Sequence, residues 1–436
     1  MTVSFLKITT AAISIFFALT TAGQVGPIPS ESRESVPTEF EADSSLEEYL
    51  AYAALHNTGL EAAFERWKAA LERVHQAGVL PDPRFNYGYF IQNVETRVGA
   101  QNQRFGVSQT FPWLGKLKLK EDASMAMANM AEQQYEAAKL RLFDEVKQSY
   151  FDYYYLGRAI AVTAENVELL KEFERIVRSK YESGSALYAD LLKAQVELEK
   201  ASDRLKTLND QRIPTVARFN AVLGRNPSAP LPLPTQFFPT TITLESPSLL
   251  ATLAQNNPDL KRVDYLAEGE QARLDLARRE YYPDVTLGVD FVDTNRSSMA
   301  GIAENGKDAV MVGFSINLPI WRGKLDAAVA EAGRNRRAAI RSRTDLQNRL
   351  SADLELAVFR FHDAERKIEL YRDSLIDKAE QNLTATRSAF EAGKLDFLSL
   401  IDAEKVLLEF TLNYEQALAD REKAISQIER ISGTPL

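Results

Sequence analysis

Residues 105–116, FGVSQTFPWLGK, and residues 312–324, VGFSINLPIWRGK, decide how this chain folds. In both, alternating apolar and small or polar residues run into a proline, then a Gly-Lys pair, then a long stretch without proline. Gly106, Ser108 and Pro112 align with Gly313, Ser315 and Pro319 at a constant offset. A proline can close a strand and open a helix, because the first helical turn does not use the missing N–H. Pro112 and Pro319 are therefore expected at two strand–helix junctions, which would join a sheet directly to a helical shaft.

The segments upstream also match, PRFNYGYF from Pro83 with YPDVTLGVDF from Tyr282. Phe85, Tyr87, Tyr89 and Ile91 fall on one side of a period-two pattern, as do Val285, Leu287, Val289 and Phe291. Val310, Val312, Phe314, Ile316 and Leu318 repeat the rule against Met311, Gly313, Ser315 and Asn317, while Gln109 interrupts it between Val107 and Phe111. Such alternation, with one fully apolar side, marks strands that face hydrocarbon or a core on one side only. Strands are expected near Phe85–Thr96, Arg104–Phe111, Asp284–Thr294 and Ala309–Leu318, with exposed loops around Glu95–Asn102 and Asn295–Lys307. A four-stranded antiparallel sheet leaves two open edges. Either the hairpins belong to a soluble sandwich, or several chains pool their strands into a closed barrel, the form in which a sheet survives in lipid.

Downstream of each junction the pattern turns helical. From Lys116 to Lys180 there is no proline and one glycine, Gly157; Lys324 to Ala389 is also free of proline, with only Gly333. About 65 residues in one helix would reach roughly 98 Å, a length that implies a coiled coil or a repeat. Each stretch ends in a repeated motif, YESGSALYADLLKAQ at 181–195 and FEAGKLDFLSLIDAE at 390–404. Gly184 and Gly393 then read as tight turns into return helices over Leu187–Leu223 and Asp396–Ile431. NTGL at 57–60 and NNPDL at 256–260 add one more matched landmark. The chain thus divides into two internal repeats, about 46–223 and 246–432. Each holds a helical segment (46–82, 246–282), a strand hairpin (83–112, 283–319) and a helical hairpin (113–223, 320–432), with a linker at 224–245.

Residues 1–22 have one lysine, an apolar stretch from Ala11 to Leu19 and small residues up to Gly23, the layout of a secretory signal peptide cleaved near Ala22. Residues 23–45, rich in Pro, Ser and Glu, read as an extended linker. The 436 residues contain no cysteine, so thiolate metal sites, disulfides and a lipid anchor on cysteine are excluded. His56, His75 and His362 are widely spaced without a HExxH pattern and read as surface helix residues. A net charge of -9 argues against a nucleic-acid partner. No phosphate-binding loop or GxSxG motif occurs, Lys116 lacking the loop and hydroxyl of the former, so neither an enzyme nor a cofactor is expected.

With the signal segment, two copies of helix, strand hairpin, long helix, glycine turn and return helix, and the motifs QTFPWLGK and GKLDFLSLIDAE, the chain resembles the TolC-like outer-membrane factors of Gram-negative efflux and secretion systems. The resemblance covers nearly the whole processed chain, and FPWLGKL is more similar to the heavy-metal branch than to the drug branch. It implies a mixed fold: long antiparallel coiled-coil helices forming an α-barrel tunnel, and four β-strands per chain completing a twelve-stranded membrane barrel in a homotrimer. It also implies an outer-membrane channel reaching into the periplasm, fed by a periplasmic adaptor protein and an inner-membrane RND-type pump. Residues 57–78 and 249–279 would surround the middle of the tunnel. The tips at Gly184, Leu187, Gly393 and Leu395 would meet the adaptor. Aligned on Gly393, the family's two acidic aperture positions fall on Asp402 and on Ser399, which carries no charge; a basic latch position falls on Leu395, which forms no salt bridge. A type I secretion conduit shares this architecture, and a periplasmic coiled-coil scaffold is the alternative outside the channel class.

Overall fold

The computed structural model describes residues 40, 41, 43–234, 242, 244 and 246–436. The expected signal peptide, most of the linker at 23–45 and part of the linker at 224–245 lie outside the described residues. Helices α1 (Leu46–His56) and α2 (Thr58–Ala77) precede strands β1 (Arg84–Thr96) and β2 (Gly99–Phe111). Helix α3 (Lys116–Glu182) and its return helix α4 (Tyr188–Leu223) follow. The order then repeats with α5 (Ser246–Asn256), α6 (Pro258–Arg279), β3 (Val285–Thr294), β4 (Ala309–Ile316), α7 (Arg322–Leu370), α8 (Ile376–Glu391) and α9 (Phe397–Ser432).

The four strands form one antiparallel sheet in the order β1-β2-β3-β4, so the two hairpins join through the β2–β3 pair and the outer edges of β1 and β4 stay unpaired. Three details depart from the sequence reading. The loop expected around Glu95–Asn102 is instead a tight turn at Arg97 and Val98, with β2 starting at Gly99, because the ladder continues through Val94↔Gln101 and Thr96↔Gly99. A register shift between Tyr89 and Val94 ends the simple alternation of β1, so Ile91 lies in an irregular segment. The uninterrupted second long helix is broken by a five-residue π turn, Tyr371–Leu375, between α7 and α8. No Gly or Pro marks it, and Tyr371 at its start is tilted against Phe410 of α9 at 5.8 Å.

Helix α3 is the spine of the first repeat, packed against α2, α4, α6 and α9. Its buried face changes along its length, from alanines (Ala123, Ala126, Ala131) near the sheet to aromatics (Tyr150, Phe151, Tyr153) farther down. The small residues let α2 and α6 approach closely. The aromatics build one core with Tyr49, Phe219 and Leu223, and a matching core of Leu253, Leu354 and Ile428 around Phe361 serves the second repeat. A third core, Phe173, Leu191, Phe390, Phe397 and Leu400, joins both helical hairpins at their tips.

Candidate functional site

The strand register sorts the side chains into two faces. Phe85, Val107, Val289 and Val312 stand in one row across the sheet, and Phe105, Phe291 and Val310 continue the row that begins at Tyr87. These side chains are largely open; Val312 is 79% exposed. Among the described residues nothing covers this apolar face, and no helix is long and apolar enough to cross a membrane. On the other face stand Asn86, Gly106, Asp290 and Met311, beside Ser108, Gly288 and Gly313. There Arg104 holds Asp290 through two hydrogen bonds of 3.0 and 2.7 Å. A Cβ on Gly106 would lie 2.2 Å from the Asp290 carboxylate, so a side chain there would push that carboxylate out of its present position beside Arg104. Gln109, the polar break in the apolar pattern, donates its amide to Pro81 O at 2.7 Å at the base of the sheet.

Below the sheet, Pro112 and Pro319 occupy the short connections from β2 to α3 and from β4 to α7. The adjoining Lys116, read in the sequence only as a failed phosphate-loop lysine, is 1% exposed. Its ammonium donates to Asp284 at 2.9 Å, Tyr282 O at 3.0 Å and Glu280 at 3.1 Å, which saturates its three protons. Asp284 also accepts from the Trp113 N–H at 2.8 Å, and Trp113 stacks on Tyr282. Lys116 thus ties the start of α3 to the α6–β3 connection and joins the two repeats beneath the sheet. A basic residue two positions after a Trp-Leu pair was the available signal, but its partners lie more than 160 residues away.

Farther along the shaft, Asn57 and Asn257 repeat one construction. Each caps its following helix by accepting from a Leu N–H (Leu60, Leu260) at 3.0 Å, and each donates to the end of a return helix (Val222 O, Ile431 O) at 2.9 Å. Gly224 and Gly433, with φ of 76° and 82°, end α4 and α9 against these corners. A Cβ would lie 2.5 Å from His56 O at Gly224 and 2.8 Å from Asn256 O at Gly433. This second glycine pair was not singled out in the sequence.

At the far end Gly184 and Gly393 have φ of 75° and 71° and open space around them. Both close a Schellman turn, with Ser185 N–H to Lys180 O and Lys394 N–H to Ala389 O. The matched tips differ in exposure. Tyr181 and Tyr188 of the first are open, whereas their counterparts Phe390 and Phe397 are buried in the shared core. Leu187 is 70% and Leu395 44% exposed. Lys180 fastens one tip to the other by donating to Phe390 O and Glu391 O, both at 2.9 Å.

The two positions expected at the aperture, Asp402 and Ser399, differ in surroundings. Asp402 is exposed on α9. Ser399 is engaged with Asp396, its N–H at 2.9 Å and its hydroxyl at 2.7 Å from one carboxylate oxygen. These donors hold the Asp396 carboxyl below the usual carboxylate range. Two residues past Asp402 the sequence reading missed Glu404, which is buried and accepts from the Asn166 amide. Burial pushes its carboxyl up to about 7, with Lys405 opposing and Glu197 adding to the shift. Its counterpart in the first repeat, Gln195, likewise reaches α3, at Glu174. The amide or acid that ends the repeated tip motif thus makes a polar contact from each return helix to the spine near the tips.

Residues 50–225 and 249–434 each match the family model described as outer membrane efflux protein. The cobalt-zinc-cadmium resistance protein CzcC of Cupriavidus metallidurans is 22% identical over 415 residues, spanning 91% of this chain and 92% of its own length. Among solved structures, the outer-membrane channel OprN matches with a TM-score of 0.76 at 18% identity, covering 91% of this chain and 93% of that one. CusC, whose transmembrane channel formation has been described, matches with a TM-score of 0.77 at 15% identity, covering 90% and 92%.

Proposed function

The chain belongs to the outer membrane efflux protein family, and from that premise we propose that three copies form one conduit from a periplasmic adaptor and an inner-membrane RND-type pump to the cell exterior. It is an outer-membrane channel protein and not an enzyme. The observation that carries the trimer is the four-stranded sheet with two unpaired edges and one bare apolar face. In lipid every backbone donor and acceptor needs a partner within the protein, so open edges must close on other copies. Three chains of four strands give a twelve-stranded barrel, with the Gly106–Asp290 face toward the lumen.

The helical hairpins then extend into the periplasm, with Gly184, Leu187, Gly393 and Leu395 as the adaptor-facing tips and Asp402 and Ser399 at the aperture. Exposed leucines beside open glycine turns support a partner surface there. The likeness to a cobalt-zinc-cadmium resistance protein supports metal ions as the cargo.

A chain without native thiols allows clean crosslinking. Single cysteines at Leu187 or Leu395 are expected to capture the adaptor in cells, and cysteines at mid-helix positions are not. If neither tip position captures it while mid-helix positions do, the tip assignment is wrong. Release of the protein from membranes by a carbonate wash would reject the barrel and favour a periplasmic scaffold.

A further inference from the structure

Close below the sheet, a groove of about 700 Å³ runs over α3 between α2 and α6. Its walls bear Arg66, Arg73, Lys120 and Arg273, its floor is alanine with Met127 and Met130, and no carboxylate lines it. In a chain of net charge -9 this is a local reversal of sign. Among the described residues, Arg273 pairs with Glu270, while Arg66, Arg73 and Lys120 enter no ion pair. Unpaired cations around an apolar floor leave their charge available to a ligand.

On helix α2, Arg66 and Arg73 are seven residues apart and share one flank, while Glu61, Glu65 and Glu72, with Lys68 among them, are turned about a third of the way round the helix from that flank at 3.6 residues per turn. The hollow that adjoins the groove through Arg66 and Gln134 has a mixed lining, Glu145 and Asp259 beside Arg141 and Arg262, whereas the charged residues lining the groove nearer the sheet are all cations. Lys120 lies four residues into α3, about 6 Å along the helix from its start below the sheet.

We propose that this groove binds an anionic amphiphile, its negative group held by Arg66, Arg73, Lys120 and Arg273 and its hydrocarbon laid along Met127, Met130 and the alanines. Guanidinium and ammonium groups recognise carboxylate, sulfate or phosphate through charge-assisted hydrogen bonds, and methionine adapts to irregular apolar chains. The volume falls in the range of small-molecule sites. The site is independent of what the channel conducts. Two sources share this chemistry, a soluble amphiphile and an anionic phospholipid of the facing leaflet.

The test uses the full-length protein in phosphatidylcholine nanodiscs, with protein-free nanodiscs subtracted, and the fluorescent probe 11-(dansylamino)undecanoic acid. Saturable binding is expected, about tenfold weaker for the uncharged methyl ester and about tenfold weaker when Arg66→Ala and Arg73→Ala are combined. Arg278→Ala, outside the groove, is expected to change nothing. Equal binding of acid and ester, equal binding by the double variant, or no saturable binding at all overturns the proposal. Because the double variant removes two exposed side chains without ion pairs, its fold is checked by an unchanged melting curve; Lys120→Gln with Arg273→Gln gives an independent pair with the same expected loss. Displacement of the probe by added phosphatidylglycerol assigns the site to lipid. Retained, arginine-dependent binding in its presence assigns it to a soluble amphiphile.

Discussion

Replacing Lys116 with methionine removes one charge and three hydrogen bonds while keeping most of the side-chain volume. A hydrogen bond to a charged group is worth about 1.5 to 3 kcal/mol, and the fully buried ammonium makes three. The partners are not fully buried: the Asp284 and Glu280 side chains keep 25% and 42% exposure. Water therefore recovers part of what they lose, and Asp284 retains the Trp113 N–H. A net cost of about 3 kcal/mol per subunit follows, less than the roughly 4.5 to 9 kcal/mol that three such bonds would sum to if water recovered none of it. An unfolding entropy of about 2.1 cal/mol/K per residue gives about 0.9 kcal/mol/K for a chain of this length, so the expected fall in melting temperature is about 3 °C. Intrinsic tryptophan fluorescence of the purified protein reads this, since Trp113 stacks at the site. Hydrogen exchange is expected to quicken over residues 113–120 and 280–285 before the rest of the chain. Combining Lys116→Met with Glu280→Gln is expected to cost less than the two changes summed, because the carboxylate left without its partner is removed as well. A shift below about 1 °C with unchanged exchange at the junction would refute the reasoning that Lys116 fastens the two repeats together.

Three further outcomes are expected. Val289→Arg or Val312→Arg places a charge on the apolar face at a cost of about 2 to 4 kcal/mol near the bilayer midplane, and pulse-chase heat-modifiability gels should show failed barrel assembly; normal assembly means that the face assignment is inverted. Glu404 has its folded pKa raised to about 7 from 4.5, so its contribution to stability is fully present below about pH 4.5 and is lost as pH rises through 7, on the order of 3 kcal/mol in all. Denaturation at pH 5 and pH 8 reads the difference, and Glu404→Gln is expected to flatten it; a parent protein equally stable at both values removes the argument. Asp402→Ala is expected to weaken cation selectivity in planar-bilayer recordings without altering assembly, since one exposed side chain contributes little to stability; unchanged selectivity and divalent-cation block make Asp402 an ordinary solvated residue.

What the sequence by itself determined is the order of elements and their duplication. Period-two alternation located four strands, the absence of proline located the long helices, and Gly184 and Gly393 located the turns, because each signal depends on residues within one or two turns of chain. Tertiary structure alone decided how those elements meet. The tight turn at Arg97 and Val98 and the bulge after Tyr89 come from the partner strand's register, which the β1 sequence does not contain. The π turn at Tyr371–Leu375 lies in a stretch with no helix breaker. The two tip motifs look equivalent as sequence, yet Tyr181 and Tyr188 are open while Phe390 and Phe397 form the shared core. The buried roles of Lys116 and Glu404 were invisible for the same reason. A lysine or glutamate in a helical pattern reads as solvated, and only the arrival of Asp284 and Asn166, each more than 160 residues away in sequence, removes the water and supplies a partner in its place.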